Sequence, residues 1–462
     1  MHRVWVVSGF VTCAGAAVSS VGFAQTGERP DRSTEVVSLQ PTQPQRMTQA
    51  PFINRANELM PSWLRVRGEF RERVEGFAGA GFNADRDDLY YLSRVRLEAT
   101  VTPAKHVSFQ VQAQDARVGK KSIGPTGTPF KAPIDLRTAF ADIGHAKSRY
   151  AVRVGRQEFV FGEQRLVGHV SWLNAARTFD AARVTMRTSS WQVDAFGGSL
   201  VRILDGRFDR SGNGNRFAGA HATSTSLIPL ATVEPYTFWR RDEALGTEDG
   251  ALGTLSAATL GVRVAGRLPA RLDYGVEMAL QRGSLGNDRV ETWAGHWQVR
   301  ELITKTGTVR VVGEYNFASG DKDSTDGVRG TFDQLYPTPH DKYGLADQFG
   351  WKNIHHVRAG VEVTPIKGLP ITANAHSWWL AEGRDAVYAA SSAPLFRVAG
   401  GAADRHVGQE IDVQVSRTLT PQLQLAGGYA HIFPGAFLKQ TTPGASYSFP
   451  YVMVTYIFLA ER

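Results

Sequence analysis

The feature that most constrains the fold is a two-residue alternation of polar and apolar side chains. In Leu64–Glu75 every second position is charged, and most positions between them are apolar. A period of two is typical of a β-strand whose two faces meet different surroundings. Seven further segments share this period: Arg94–Val101, Val107–Gln114, Trp191–Ala195, Arg271–Gln281, Val309–Tyr315, His356–Val363 and Glu410–Val415. The sequence therefore predicts an all-β protein.

The connections between these segments differ in length. Tight turns such as Thr364–Gly368 contrast with long polar gaps. The long gaps are Gly119–Pro133, Arg202–Gly250, Ser319–Trp351 and Glu382–Arg405. At roughly 22 to 25 residues per strand and connection, residues 62–462 predict a single large antiparallel transmembrane β-barrel of about 16 to 18 strands, with 18 favoured. Short periplasmic turns and long extracellular loops are expected, and Arg202–Gly250, the longest gap, is the first candidate for a gate.

The charged face of Leu64–Glu75 indicates which side of such a barrel meets water. An arginine that faces lipid at mid-depth costs about 2–4 kcal/mol. Arg65, Arg67, Arg71 and Arg73 would be too costly there, so this face is predicted to line the lumen. Arginine and glutamate ladders often brace a barrel wall through cross-strand pairs, whereas a positively biased lumen can also conduct an anionic solute. The pattern leaves bracing and conduction both open.

The N-terminus indicates export. Arg3 precedes the apolar segment Val4–Val21, so residues 1–24 are predicted to be a signal peptide. Residues 25–61 are polar and without a period, which predicts a disordered leader. The single cysteine, Cys13, lies in the predicted signal peptide, so we expect neither a disulfide nor a thiolate metal site. A net charge of +8 on an exported chain suits an acidic polymer or an anionic lipid surface better than nucleic acid.

The remaining motifs give little support for a metal site or for catalysis. Asp321, Asp323 and Asp326 resemble a calcium loop only weakly, because their spacing is shifted and Phe332 stands where a glutamate is required. The histidines lack the spacing of a zinc site, and the nucleophile motif G-x-S-x-G is absent from the sequence. We expect no cofactor, no metal and no enzymatic activity.

Two stretches resemble the alginate-export family of outer-membrane proteins. The first is Gly155–Gly168, GRQEFVFGEQRLVG, with Arg177–Asp180 after it. The second is Gly330–His340, GTFDQLYPTPH. Asp135–Asp142 is also similar to the strand that precedes the first motif in this family. The resemblance extends over Trp63–Phe458, most of the chain.

This resemblance implies a barrel in the outer membrane of a Gram-negative bacterium that moves a polymer of uronic acids through a narrow, arginine-lined pore. By matching positions, the constriction would include Arg156, Glu158, Arg165, Arg177, Asp180 and Arg183. With the strand pattern, the candidate pore-lining residues are Arg65, Arg67, Arg71, Arg94, Arg96, Arg137, Arg153, Arg156, Glu158, Arg165, Arg177, Asp180, Arg183, Arg300, Arg310 and Arg358. Expected partners are an anionic polysaccharide or oligosaccharide, outer-membrane lipid and, in an export system, a periplasmic secretion partner.

Three functions stay open from the sequence. The leading one is a passive channel that exports an alginate-like polyuronate. The second is a general porin for uptake of anions or oligosaccharides. The third, of another class, is a periplasmic β-enzyme that modifies polysaccharides with its acidic groups.

Overall fold

The computed structural model describes residues 56–144, 147–247, 251–304, 308–398, 400–402 and 404–459. The predicted signal peptide (1–24) and the leader as far as residue 55 lie outside the described residues. The long strands are β1 Leu64–Phe77, β2 Asp88–Ala104, β3 Val107–Gly119, β4 Ala132–Ile143, β5 Tyr150–Gln157, β6 Phe179–Arg187, β7 Gln192–Arg202, β8 Arg210–Thr223, β9 Ala231–Gly246, β10 Leu252–Leu268, β11 Leu272–Leu285, β12 Asp288–Leu302, β13 Val309–Ala318, β14 Ile354–Val363, β15 Ile371–Leu380, β16 His406–Thr420, β17 Leu423–Pro434 and β18 Tyr447–Phe458.

These strands form a closed antiparallel barrel of 18 strands, which confirms the predicted fold and the favoured strand count. Each strand pairs with its sequence neighbours, and β1 closes the barrel by pairing with β18. In β1 the side chains of Phe70 and Val74 are exposed on the outer face. Arg71, Arg73 and Glu75 are buried on the opposite, inner face. The alternation in the sequence therefore separates the two faces of the wall.

Three connections at the extracellular end are long, and two of them pack against the inner wall. Residues 158–178 are called the first inner loop, and residues 319–353 the second inner loop. The third long connection comprises residues 381–405. The predicted loops Ser319–Trp351 and Glu382–Arg405 are thereby confirmed.

The prediction that Arg202–Gly250 is one long loop is wrong. This region contains β8 and β9, and only residues 203–209 connect β7 to β8. The reason lies in the composition of β8, which reads RSGNGNRFAGAHAT. Glycine, alanine and serine carry little contrast in hydropathy, so a strand rich in them shows no clear period of two. Arg202–Gly250 is therefore not a single loop that could act as a gate.

The remaining elements are short. The helices are α1 Ala56–Leu59 and α2 Ala436–Thr441, with 3-10 turns at Ala80–Phe82 and Pro269–Arg271 and short strands at Val328–Arg329, Val387–Tyr388 and Pro394–Phe396. Within the predicted leader, α1 is held to the barrel seam by Asn57, whose amide donates to the carbonyls of Val66 at 2.7 Å and Leu459 at 2.6 Å. None of the helices in the described residues is long and apolar enough to cross a membrane.

Candidate functional site

The two inner loops pair with each other inside the barrel. Val167 and Tyr336 form a parallel β-bridge. On either side of it, the Gly168 amide donates to the Tyr336 carbonyl at 2.8 Å, and the Tyr336 amide donates to the Leu166 carbonyl at 2.8 Å. The two stretches that carry the family resemblance are therefore in direct contact.

Arg177 adds a second connection between the inner loops. Its guanidinium donates to the carbonyls of Gly168 at 3.1 Å and Pro337 at 2.8 Å. Thr338 adds a third, because its amide donates to the Gln164 carbonyl at 2.9 Å. The loops thus form one unit, and Arg177 has a bracing role in it.

An aromatic cluster holds this unit against the wall. Phe159 of the first inner loop lies 4.4 Å from Phe196 and 4.9 Å from Phe179, measured between ring centroids. Tyr336 packs edge-on against Phe217 at 4.9 Å. Burial of one such side chain contributes about 1.5–3 kcal/mol. The interior at this depth is therefore filled by packed rings.

Arginines of β1 and β2 bind the first inner loop from the opposite wall. Arg71 donates to the Ser171 carbonyl at 2.9 Å, and Arg94 donates to the same carbonyl at 2.9 Å. Arg73 donates to the Trp172 carbonyl at 2.7 Å, with its guanidinium 3.8 Å from the centre of the Trp172 ring. Because Arg71 and Arg94 donate hydrogen bonds to backbone carbonyls of this loop, they brace it.

A buried ionic network joins the first inner loop to β10, β13 and β14. Arg165 donates to Glu314 at 2.9 Å, and Glu163 accepts from Arg263 at 2.7 Å. Arg358 donates to the second oxygen of Glu314. Burial raises the pKa of the Glu163 carboxyl, but the guanidiniums of Arg263 and Arg165 outweigh it and hold this pKa well below its usual range. Glu163 therefore stays ionised.

A second set of contacts braces the wall near β3 and β4. Arg137 donates to Glu158 at the start of the first inner loop, and Arg96 donates to Gln114 at 2.8 Å. Arg96 and Arg137 are buried, whereas Glu158 is half-buried. Their role in this structure is also to position the wall and the loop.

Arg156 and Asp180 lie on the outer face of the wall, which removes them from the pore-lining set. They pair with each other in register, and their side chains form an ion pair of 2.8 Å. Arg156 shares its face with Val154, whose side chain is 52% exposed. Arg153 is three residues before Arg156, and residues an odd number apart on a strand point to opposite faces. The motif alone did not carry this information.

Six candidates lie on the inner face and are partly exposed: Arg65, Arg67, Arg153, Arg183, Arg300 and Arg310. Arg153 and Arg183 lie in the middle of their strands, and the other four lie towards the periplasmic ends. Arg153 pairs with Asp142 at 2.7 Å, and Arg183 with Asp194 at 2.9 Å. These two arginines are also direct neighbours across β5 and β6. They border a cavity of about 450 Å³ together with Lys105.

The three aspartates of the weak calcium candidate serve turns at the start of the second inner loop. Asp323 accepts from the Thr325 hydroxyl at 2.7 Å, and Asp326 accepts from the Val328 amide at 2.8 Å. Asp321 accepts from the Asp323 amide at 3.2 Å. Short hydrogen bonds of this kind are how aspartate stabilises a turn.

A cluster that sequence reasoning missed lies between β15 and β16. Among the described residues, His376, Glu410 and Asp412 are the set of three groups close enough to share a metal ion, with ligand atoms within 4.8 Å of one another. Glu410 accepts from the Leu345 amide at 2.6 Å, so the cluster also holds the second inner loop. Its only signal in the sequence is the pair of acids two apart in an alternating strand. Strand register brings the histidine to it.

Comparisons with known proteins agree with this architecture. Solved structures similar to it include Pseudomonas aeruginosa OpdQ, with 11% identity over 86% of this chain and 97% of that chain at a TM-score of 0.58. A BenF-like porin from Pseudomonas fluorescens Pf-5 has 11% identity over 86% and 98% at 0.58. Pseudomonas aeruginosa OccK2 (OpdF), solved in complex with glucuronate, has 10% identity over 86% and 96% at 0.56. At these identities the likeness shows the fold alone.

None of the curated proteins compared with the chain matches it. The sequence model described as alginate export matches residues 62–451, which is most of the chain and includes all 18 strands in whole or in part. The chain is an outer-membrane channel protein of a Gram-negative bacterium, and it belongs to the alginate export family.

Proposed function

We propose that this channel is a passive conduit for an anionic saccharide, an alginate-like polyuronate, and that the solute contacts the half-exposed arginines of the periplasmic half. The observation that carries the proposal is the Arg153–Arg183 pair. Like charges directly opposite on neighbouring strands are destabilising. Here they border one cavity with Lys105, at the end of the barrel that opens to the periplasm.

A carboxylate-bearing sugar fits this wall chemically. A guanidinium presents parallel N–H donors that match both oxygens of a carboxylate. OccK2, which shares the fold, was solved with glucuronate, and the family is named for alginate export. Both agree with a uronate as the solute class. Asp142 and Asp194, which pair with the two arginines, would limit the retention of the polymer.

The geometry separates Glu163 and Asp180, the acidic pair that the enzyme alternative would use for catalysis. A glycosidase needs a carboxylic acid that is protonated at neutral pH. Glu163 is held ionised by Arg263 and Arg165, and Asp180 lies on the outer face beside Arg156. Glu163 is therefore not protonated, and Asp180 lies on the other face of the wall, so these two acids do not form a catalytic pair.

Uptake of anionic oligosaccharides would use the same wall, so the direction of flow depends on what supplies the solute. Export requires synthesis on the periplasmic side and a periplasmic secretion partner that delivers the chain. In export the polymer would enter beside the partly exposed cations at the periplasmic end. This placement is why we favour export.

The test is block of single-channel current by oligomannuronate in a planar bilayer. Wild type is expected to be blocked, and Arg153→Gln/Arg183→Gln is expected to need about tenfold more oligomer, because it lacks two charge-assisted contacts. Arg156→Gln is the matched control, since it removes an arginine from the outer face of the same strand, and it should be blocked like wild type. Equal block of wild type and the double variant would contradict the proposal.

A further inference from the structure

A second cavity, of about 610 Å³, lies at the extracellular end of the barrel. Its walls come from β9–β12, from the second inner loop and from residues 386–397 of the third long connection. Small-molecule sites in proteins have volumes of about 300–1,000 Å³ and combine apolar walls with a few placed polar groups. Leu395 and Phe396 contribute apolar wall here. The cavity is separate from the periplasmic one that Arg153 and Arg183 border.

The charges around this cavity do not balance. Arg240 is paired with Asp333 at 2.7 Å, and Arg397 with Asp385 at 3.1 Å. In the part of the chain that the structure describes, Arg329 and Lys352 also line the cavity, and neither has a carboxylate within ion-pair distance.

Lys352 lies near an aromatic ring and near an acid that already has other partners. Its ammonium lies 4.7 Å from the centre of the Tyr388 ring. The neighbouring acid Asp385 is already engaged, because it accepts from the Thr331 hydroxyl at 2.6 Å and the Tyr388 hydroxyl at 2.8 Å as well as from Arg397. Two cations therefore border the same space as Asp333, and neither has a carboxylate within ion-pair distance in the described residues.

We propose that this cavity binds a carboxylate-bearing sugar on the extracellular side, with Lys352 and Arg329 pairing with the carboxylate and Tyr388 and Phe396 packing against the ring. The class of sugar rests on the proposed function; the presence of an anion site rests on the charges of the cavity. In export the site would contact the polymer as it leaves the barrel. In uptake the site would be the first part of the channel that the sugar contacts.

The ionisation of Lys352 gives the site a pH dependence. Burial lowers the pKa of the Lys352 ammonium to about 8; the facing acids Asp333 and Asp385 raise it, and the facing cations Arg329 and Arg240 lower it. Lys352 is therefore mostly charged at pH 7 and mostly neutral at pH 9. Since a carboxylate binds the charged form, affinity is expected to fall as the pH rises through 8.

Binding of a mannuronate trimer to the purified full-length protein, followed by titration calorimetry, tests the site. The background is Arg153→Gln/Arg183→Gln, so that the periplasmic cavity contributes little. Lys352→Gln and Arg329→Gln are each expected to weaken binding about tenfold. Arg289→Gln is the matched control, because Arg289 pairs with Val328 beside Arg329 but its side chain is 69% exposed. Heat-modifiable migration confirms that each variant is folded.

The outcomes separate this site from the conduit. Unchanged binding in both Lys352→Gln and Arg329→Gln would overturn the proposal, and so would equal binding of a neutral mannose trimer. Trimer binding that depends on Lys352 supports the site even in a channel whose current oligomannuronate does not block. These two results together would contradict the proposed conduit and leave the extracellular site supported.

Discussion

Val167 and Tyr336 pair as a parallel β-bridge inside the barrel, although each belongs to a different extracellular connection. This contact makes the two inner loops one body, which Arg177 and Thr338 extend with further hydrogen bonds. The two loops that pack against the inner wall therefore depend on each other for their position.

Arg177→Met should destabilise the protein by about 1.5–3 kcal/mol, because it removes charge-assisted hydrogen bonds to the Gly168 and Pro337 carbonyls. The free energy of unfolding in urea, followed by tryptophan fluorescence, measures this. Arg289→Met, on the exposed side of β12, controls for the loss of charge. A change no larger than that of the control would show that Arg177 does not join the loops.

Arg165→Ala should lower the free energy of unfolding by about 3–5 kcal/mol, more than Arg177→Met does. The reason is that Glu314 and Glu163 stay buried with one partner fewer. The double variant Arg165→Met/Glu314→Gln should recover part of this loss, since it also removes a buried charge. Urea unfolding of the two variants side by side provides the measurement. If the double variant were less stable than Arg165→Ala, the network would not act through charge pairing.

Arg71→Gln/Arg94→Gln should release the first inner loop from β1 and β2. Each substitution is expected to lower the free energy of unfolding by about 1.5–3 kcal/mol. The loop contains Arg165 and Arg177, which are sites for trypsin once it detaches. Limited proteolysis of the folded barrel is expected to cut the variant within residues 158–178 and to leave wild type intact. Resistance equal to wild type would mean that other contacts suffice.

Lys352 should give stability an unusual pH dependence. Its pKa is lowered from 10.5 to about 8 in the folded state, chiefly by burial. Between these values the unfolded chain binds the proton more fully, so the free energy of unfolding rises with pH. The difference in the free energy of unfolding between Lys352→Met and wild type should therefore become smaller from pH 7.5 to pH 10. A gap that stays constant would show that Lys352 is not buried as a charged group.

The sequence predicted what depends on the period of two. The alternation in Leu64–Glu75 identified the inner face of β1, and the polar runs identified the loops at Ser319–Trp351 and Glu382–Arg405. It failed in β8, where small residues on both faces remove the contrast in hydropathy. A motif also cannot reveal strand parity, which is why the prediction that Arg156 lines the pore is wrong.

Contacts between distant segments were beyond the sequence for a different reason. The second inner loop reads as polar and irregular, and nothing in either loop indicates that Val167 lies beside Tyr336. The bracing of Arg71 and Arg94 depends on where the first inner loop lies, so charge alone left bracing and conduction open. Only register and packing separate the braced arginines from the half-exposed ones.

The reversal potential of single channels across a salt gradient tests most directly whether the periplasmic arginines line the path of the solute. Wild type is predicted to select anions, and Arg153→Gln/Arg183→Gln is predicted to shift the reversal potential towards that of an unselective pore. Arg156→Gln should leave it unchanged. A cation-selective wild type, or a double variant with the reversal potential of wild type, would contradict the claim that the periplasmic arginines line the path of the solute.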